Sequence, residues 1–159
     1  MKAVFKHREA ALALVLVLLL AAVATRFPAF LTPANLVAVF NDSAALIILA
    51  LGQFLVITTR CIDLSVAANL ALTGMICALL NTIAPDLPVA FTLALALLIG
   101  AGLGLVNGLL VWKAGIPPIV VTLGTMTVYR GMIFLISNGE WVNAHEMSAA
   151  FTGFPRLTV

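Results

Sequence analysis

The chain has 159 residues, 64% of them hydrophobic and 9% charged, with a formal net charge of +2 and a mean hydropathy of +1.22. A soluble domain carries about 25% charged residues, so this composition excludes a water-soluble globule, and so small a net charge gives no basic footprint for nucleic acid. Polar residues cluster between apolar runs of roughly 18 residues or more, which predicts an all-α, polytopic transmembrane bundle of about five spans; a barrel would show shorter, alternating segments.

The first apolar run, over residues 10–24, follows the basic start of "MKAVFKHREAALALVLVLLLAAVATRF". A secretory signal has the same outline, and Ala22-Val23-Ala24 offers an A-x-A cleavage pattern, but the further apolar runs favour a retained span. The second run covers about 44–59 and is extended at its start by "TPANLVAVFNDS". Pro33 suits a first helical turn there, and Asn41, Asp42 and Ser43 offer a cap for a new helix after a short surface one. The third run covers 64–83 and ends at "APDLP"; the fourth covers 88–112. The fifth, 118–136, starts after the Gly115-Ile116-Pro117-Pro118 breaker and ends at "SNGE".

Five spans alternate sides, so the basic residues test orientation. With a cytoplasmic N-terminus, Lys2, Lys6, Arg8, Arg60 and Lys113 fall inside, and only Arg26 and Arg156 lie in segments placed outside. The tail from Glu140 and Trp141 to Val159 then emerges on the far side. Arg130 lies within the fifth run, where snorkelling, a buried partner and an ion pathway are all open.

The stretch "TTRCIDLSVAANLALTG" sets Arg60 and Asp63 between two apolar runs. Arg60 closes the second span at the cytoplasmic surface, and the Asp63 carboxylate is placed to cap the free N–H groups of the third helix. Beyond it, Ser65, Asn69, Thr73, Cys77 and Asn81 recur every four residues on one winding ridge. Amides are costly in hydrocarbon, so this ridge turns from lipid, either to bond other helices or to wall a pathway. In the fourth span Gly100, Gly104 and Gly108 form two overlapping G-x-x-x-G steps, a stripe suited to close helix packing, with Asn107 beside it as a second candidate for a buried polar contact. Thr122, Gly124, Thr125 and Thr127 fall in the fifth span, whose threonines either bond back to helix carbonyls or line a locally broken helix.

Catalytic, cofactor and metal motifs are missing. "HEMSA" at His145 lacks the second histidine of H-E-x-x-H, there is no G-x-x-x-x-G-K-[ST] loop, and Gly102-Leu103-Gly104 does not continue as a dinucleotide fingerprint. Cys61 and Cys77 read as free thiols. If ATP drives this protein, another chain hydrolyses it.

"IDLSVAANLALTGM" (62–75) and "GLVNGLLVWKAGIPPIVVTLGTMTVYRGM" (104–132) closely resemble two stretches of the membrane permeases of bacterial ABC sugar importers, in the ribose, xylose and rhamnose branch. That family's usual patterns are near G-G-I-D-L-S-V-G and I-P-P-F-I-V-T-L-G-T. Here Arg60 and Cys61 replace the glycines before I-D-L-S, and Ala67 replaces the glycine after S-V. The wording of "IDLSVAANLA" and the segment "WVNAH" (141–145) resemble the rhamnose subgroup, with autoinducer-2 importers as close relatives.

The resemblance implies a non-enzymatic permease subunit in the bacterial cytoplasmic (inner) membrane, importing a monosaccharide for which L-rhamnose is the best guess. It implies a second permease subunit, a cytoplasmic ABC ATPase that carries ATP and Mg, a periplasmic sugar-binding protein, the sugar itself and membrane lipid as partners. Family members are roughly twice as long, so residues 1–159 are expected to form the N-terminal part of a single permease domain. The ridge argument makes Asn69 and Thr73 candidates for the translocation path, with Thr122 and Thr125 on a second wall. Two rival readings are a truncated membrane remnant without transport activity and an ion-coupled secondary carrier, which would use intramembrane charges.

Overall fold

The structure, a computed structural model, describes residues 2–154, with side chains from Glu9 onward. Lys2, Lys6, Arg8 and Arg156, used in the orientation count, therefore have side chains outside the described residues. Among the described residues, five helices are long and apolar enough to cross a membrane: α1 (Lys2–Arg26), α2 (Pro33–Thr58), α3 (Val66–Ile83), α4 (Val89–Trp112) and α5 (Pro118–Ser137). A short helix, α6 (Ala149–Gly153), follows a 3₁₀ turn at Ala144–Glu146. The chain forms two compact units, Met1–Ala50 and Leu51–Val159.

The first unit holds α1, a 3₁₀ turn at Pro28–Leu31 and the start of α2. Proline supplies the first residue of both the turn and α2, where its missing N–H is no loss. Asn35 ties the two together by donating from Nδ2 to the Phe30 carbonyl at 2.9 Å. Helix α2 then runs unbroken through Asn41, Asp42 and Ser43, so these residues do not start a second helix. No glycine or proline interrupts the chain there, and helical backbone bonding continues through residues that cap only where the chain is already turning.

In the second unit α3 packs against both α4 and α5. Ala68 and Leu72 of α3 and Tyr129 of α5 form its buried centre, with Ile76, Leu103, Met126 and Ile133 around them. The Tyr129 hydroxyl donates to the Leu103 carbonyl of α4 at 2.8 Å, which satisfies the phenol while its ring fills the core. The predicted breakers end the helices. Pro117 and Pro118 open α5, and Asn138 closes it in the left-handed conformation at φ 52°.

The C-terminus of α2 is a Schellman turn. The Cys61 N–H reaches the Val56 carbonyl at 3.3 Å and the Arg60 N–H reaches Ile57 at 2.9 Å. This places Arg60 at φ 61°, the left-handed position that glycine usually takes. The hydroxyls of Thr58 and Thr59 bond back to Leu55 and Val56, each at 2.7 Å; the first satisfies a further carbonyl at the helix end and the second adds to the bonds that Val56 already accepts.

Candidate functional site

The loop between α2 and α3 is held by Asp63. Its Oδ1 accepts from both the backbone N–H and the hydroxyl of Ser65, each at 2.7 Å. The predicted capping role is thereby corrected in detail: Ser65 occupies the N-cap position, and the carboxylate bonds that residue rather than the first N–H groups inside α3. One residue separates Asp63 from the cap, so its short side chain folds back on the turn before it can reach the helix. Gln53 of α2 fixes the other side of the loop by donating from Nε2 to the Asp63 carbonyl at 3.2 Å.

From α4, Asn107 donates through Nδ2 to Ser65 Oγ at 2.8 Å. From α5, the Thr122 hydroxyl donates to the Ile62 carbonyl at 3.3 Å. Three helices therefore converge on three loop residues, Ile62, Asp63 and Ser65, and Ser65 is completely buried at their centre. A pocket of about 220 Å³ opens beside this network, bordered by Cys61, Asp63, Asn107, Thr122, Gly104 and Gly108. Asn107 is only 6% exposed, yet its Oδ1 has no hydrogen-bond partner. A buried acceptor left unpaired costs about 1–3 kcal/mol.

The polar ridge of α3 faces protein, and it runs antiparallel to α4 rung by rung. Ser65 meets Asn107, Asn69 Nδ2 donates to the Gly100 carbonyl at 3.2 Å, and the Cys77 thiol lies 3.9 Å from the Thr92 carbonyl. Thr73 donates to Asn69 Oδ1 at 3.2 Å, inside the same ridge. At the far end Asn81 clasps Ser148: its Oδ1 accepts the Ser148 N–H at 2.7 Å and its Nδ2 donates to the Ser148 hydroxyl at 3.2 Å. Cys61 and Cys77 are both free thiols.

The glycines of α4 have unequal surroundings. A Cβ at Gly100 would sit 3.8 Å from Asn69 Oδ1 and 4.0 Å from Thr73 Oγ1, whereas one at Gly104 or Gly108 would meet nothing within 4 Å. Helix α5 is continuous, so the locally broken alternative does not hold. Its threonines bond back along the helix, Thr125 to Val121 at 3.1 Å and Thr127 to Leu123 at 3.1 Å. Arg130 is exposed on α5, outside the buried core.

A second cavity, of about 360 Å³, lies between α3 and α4, where Thr73, Cys77 and Thr92 meet Met147 and Phe151. Thr92 is 1% exposed and its Oγ1 has no partner. The sequence does not mark Thr92, whereas Asn107, a candidate there for a buried polar contact, makes one with Ser65. The four-residue recurrence marks α3 alone, and the partner register on α4 becomes visible only once the two helices are packed.

The family model for the permease component of branched-chain amino acid transport systems matches residues 35–154, which include the whole site. The chain belongs to this family of membrane permeases. It is 40% identical over 142 residues to an autoinducer 2 import system permease protein of Enterobacter, an alignment that covers 89% of this chain and 41% of the relative. It is 38% identical over 113 residues to the D-allose transport system permease protein of Escherichia coli, covering 71% and 34%. A probable ABC transporter permease of Sinorhizobium fredii shares 42% over 136 residues, covering 83% and 39%. The chain thus spans well under half the length of these relatives. No solved structure matches it. As a member of this family with five apolar helices among the described residues, it is a multi-pass inner-membrane protein, and its relatives are transport subunits rather than enzymes.

Within this chain, the residues singled out by sequence fall into two groups. Asp63, Thr122, Gly104 and Gly108 border one pocket, and Arg60 stands at the helix end just before it. Asn69, Thr73 and Gly100 meet further along the α3–α4 seam. Thr125 bonds its own helix at Val121 and Thr122.

Proposed function

We propose that this chain is part of the permease of an ATP-driven, binding-protein-dependent sugar importer. One observation carries the reading: similarity to permeases named for autoinducer 2 and D-allose import extends over most of this chain. The Asp63 loop and helices α3 to α5 supply a polar seam inside an apolar bundle, as a solute path through lipid requires. A cytoplasmic ATPase carrying ATP and Mg, a periplasmic binding protein and a second permease subunit complete the assembly. Thr73 and Thr122 are the best-placed path residues, since each borders a cavity; Asn69 and Thr125 hold the walls behind them. With the N-terminus inside, Arg60, Lys113 and the Asp63 pocket lie at the cytoplasmic end, and Trp141 with α6 at the periplasmic end.

L-rhamnose is the first candidate cargo, from the wording around Asp63 and the "WVNAH" segment, and D-allose and autoinducer 2 are the alternatives. Uptake of each labelled compound is measured in cells lacking the gene and in cells given it back. Loss and rescue of one compound supports the reading and names the cargo; unchanged uptake of all three overturns it. Collapse of the membrane potential with ATP maintained leaves uptake intact in an ATP-driven importer and stops an ion-coupled carrier.

A further inference from the structure

We propose that α6 is a lid over the cavity between α3 and α4, latched by Asn81, and that release of the latch admits water-borne molecules to the α3 ridge while α5 stays packed. The device does not depend on the identity of the cargo. Asn81 lies in the last turn of α3 and Thr92 in the first turn of α4, so both stand at the same end of this antiparallel pair. The cavity of about 360 Å³ begins there, between Cys77 and Thr92, and continues inward along Thr73, Gly74 and Ala96. Thr73 is two helical turns, about 12 Å, inward from Asn81. Met147 and Phe151, which flank Ser148 in the chain, line the same cavity.

The attachment of α6 is polar more than apolar. Its five residues fall far short of the roughly 12–15 that a helix needs to persist alone. Among the described residues it packs only lightly on the long helices, and Met147 and Phe151 stay partly exposed. Asn81, by contrast, is 1% exposed and spends both ends of its amide on Ser148. Its Oδ1 accepts the Ser148 N–H and its Nδ2 donates to the Ser148 hydroxyl. That hydroxyl also accepts the Phe151 N–H at 3.3 Å, which caps α6. One side chain of α3 thus holds the lid in place and steadies the residue that starts its helix.

The segment leading to the lid is built to move with it. Asn143 and Glu146 close a capping box around the 3₁₀ turn, so that turn keeps its shape without help from the long helices. Residues 140–143, between α5 and this turn, form neither helix nor strand and can absorb the change in direction. The buried centre at Ala68, Leu72 and Tyr129 includes no residue of the lid. Opening therefore breaks the latch and a small apolar contact, and leaves the core as it is.

Cys77 reports on the lid from inside: it is 4% exposed, borders the cavity and lies one turn inward from Asn81. With Cys61→Ser as background and the chain in lipid nanodiscs, its reaction with a sulfonated maleimide, a charged reagent that lipid excludes, is followed by mass spectrometry. Asn81→Ala, which removes both latch bonds, is expected to speed the reaction about tenfold or more. Ser148→Ala leaves the bond from its N–H to Asn81 and should speed it less, and Ser148→Thr, which keeps the hydroxyl, should hold the parent rate. Val121→Cys, with both native cysteines replaced by serine, places a second buried reporter on α5, and Asn81→Ala should leave its rate unchanged. An unchanged Cys77 rate in Asn81→Ala overturns the proposal. So does equal acceleration at Val121→Cys, which would mean that the whole unit loosens, or a parent Cys77 that already reacts as fast as in the denatured chain.

Discussion

Arg60 shows how a single backbone angle can be read as a stability statement. At φ 61° an L-residue bears a steric cost of roughly 1–2 kcal/mol that glycine avoids, offset in part by the freedom glycine has when unfolded. Arg60→Gly is therefore expected to stabilise the chain by up to about 1 kcal/mol, seen as a higher thermal midpoint in detergent; a lower midpoint would mean that the arginine side chain contributes more than its backbone costs. Gly139 is the opposite case. It sits at φ 77°, and a Cβ there would lie 3.2 Å from the Phe134 ring. Gly139→Ala should cost about 1–2 kcal/mol, and pairing it with Phe134→Leu should recover only part of the loss, because the ring can be removed but the angle remains. Full recovery would place the whole penalty in the contact.

Between helices, the polar rungs of α3 do what the apolar surface cannot, since leucine against lipid is as comfortable as leucine against another helix. Their register is legible in the sequence as the recurrence from Ser65 to Asn81, and so are the breakers at 84–88 and 115–118. What the sequence does not disclose is the partner of each rung. Ser65 finds Asn107 across 42 positions and Asn81 finds Ser148 across 67, and no local propensity encodes such distances. The continuity of α2 through Asn41-Asp42-Ser43 was hidden for a related reason: residues that cap well are also tolerated mid-helix when nothing else breaks the chain. The Asn81 clasp can be tested alone. Asn81→Ala removes both bonds to Ser148, each worth about 1 kcal/mol, so amide hydrogen exchange across 144–153 should accelerate roughly tenfold or more while α5 is unchanged. Equal acceleration in α5 would show that the two segments open as one body.

For the chain as a whole, alternation of the spans makes side a matter of counting. Arg60 and Lys113 stand at opposite ends in sequence of a pair of antiparallel spans, so they share one end of the second unit, and Trp141 follows one more crossing and belongs to the other. The basic residues then set which end is cytoplasmic, because lysine and arginine are held inside during insertion. Trp141 is 84% exposed, with an indole suited to the membrane–water boundary, and Lys113 is exposed beside Trp112 at the end of α4. In a background with Cys61→Ser and Cys77→Ser, a membrane-impermeant maleimide added to intact spheroplasts should label Trp141→Cys and leave Lys113→Cys unlabelled until the cells are opened. The reverse pattern would invert the orientation and move the Asp63 pocket to the periplasmic end. Labelling of both from outside would mean that α5 does not cross the membrane, contrary to its length and its apolar composition.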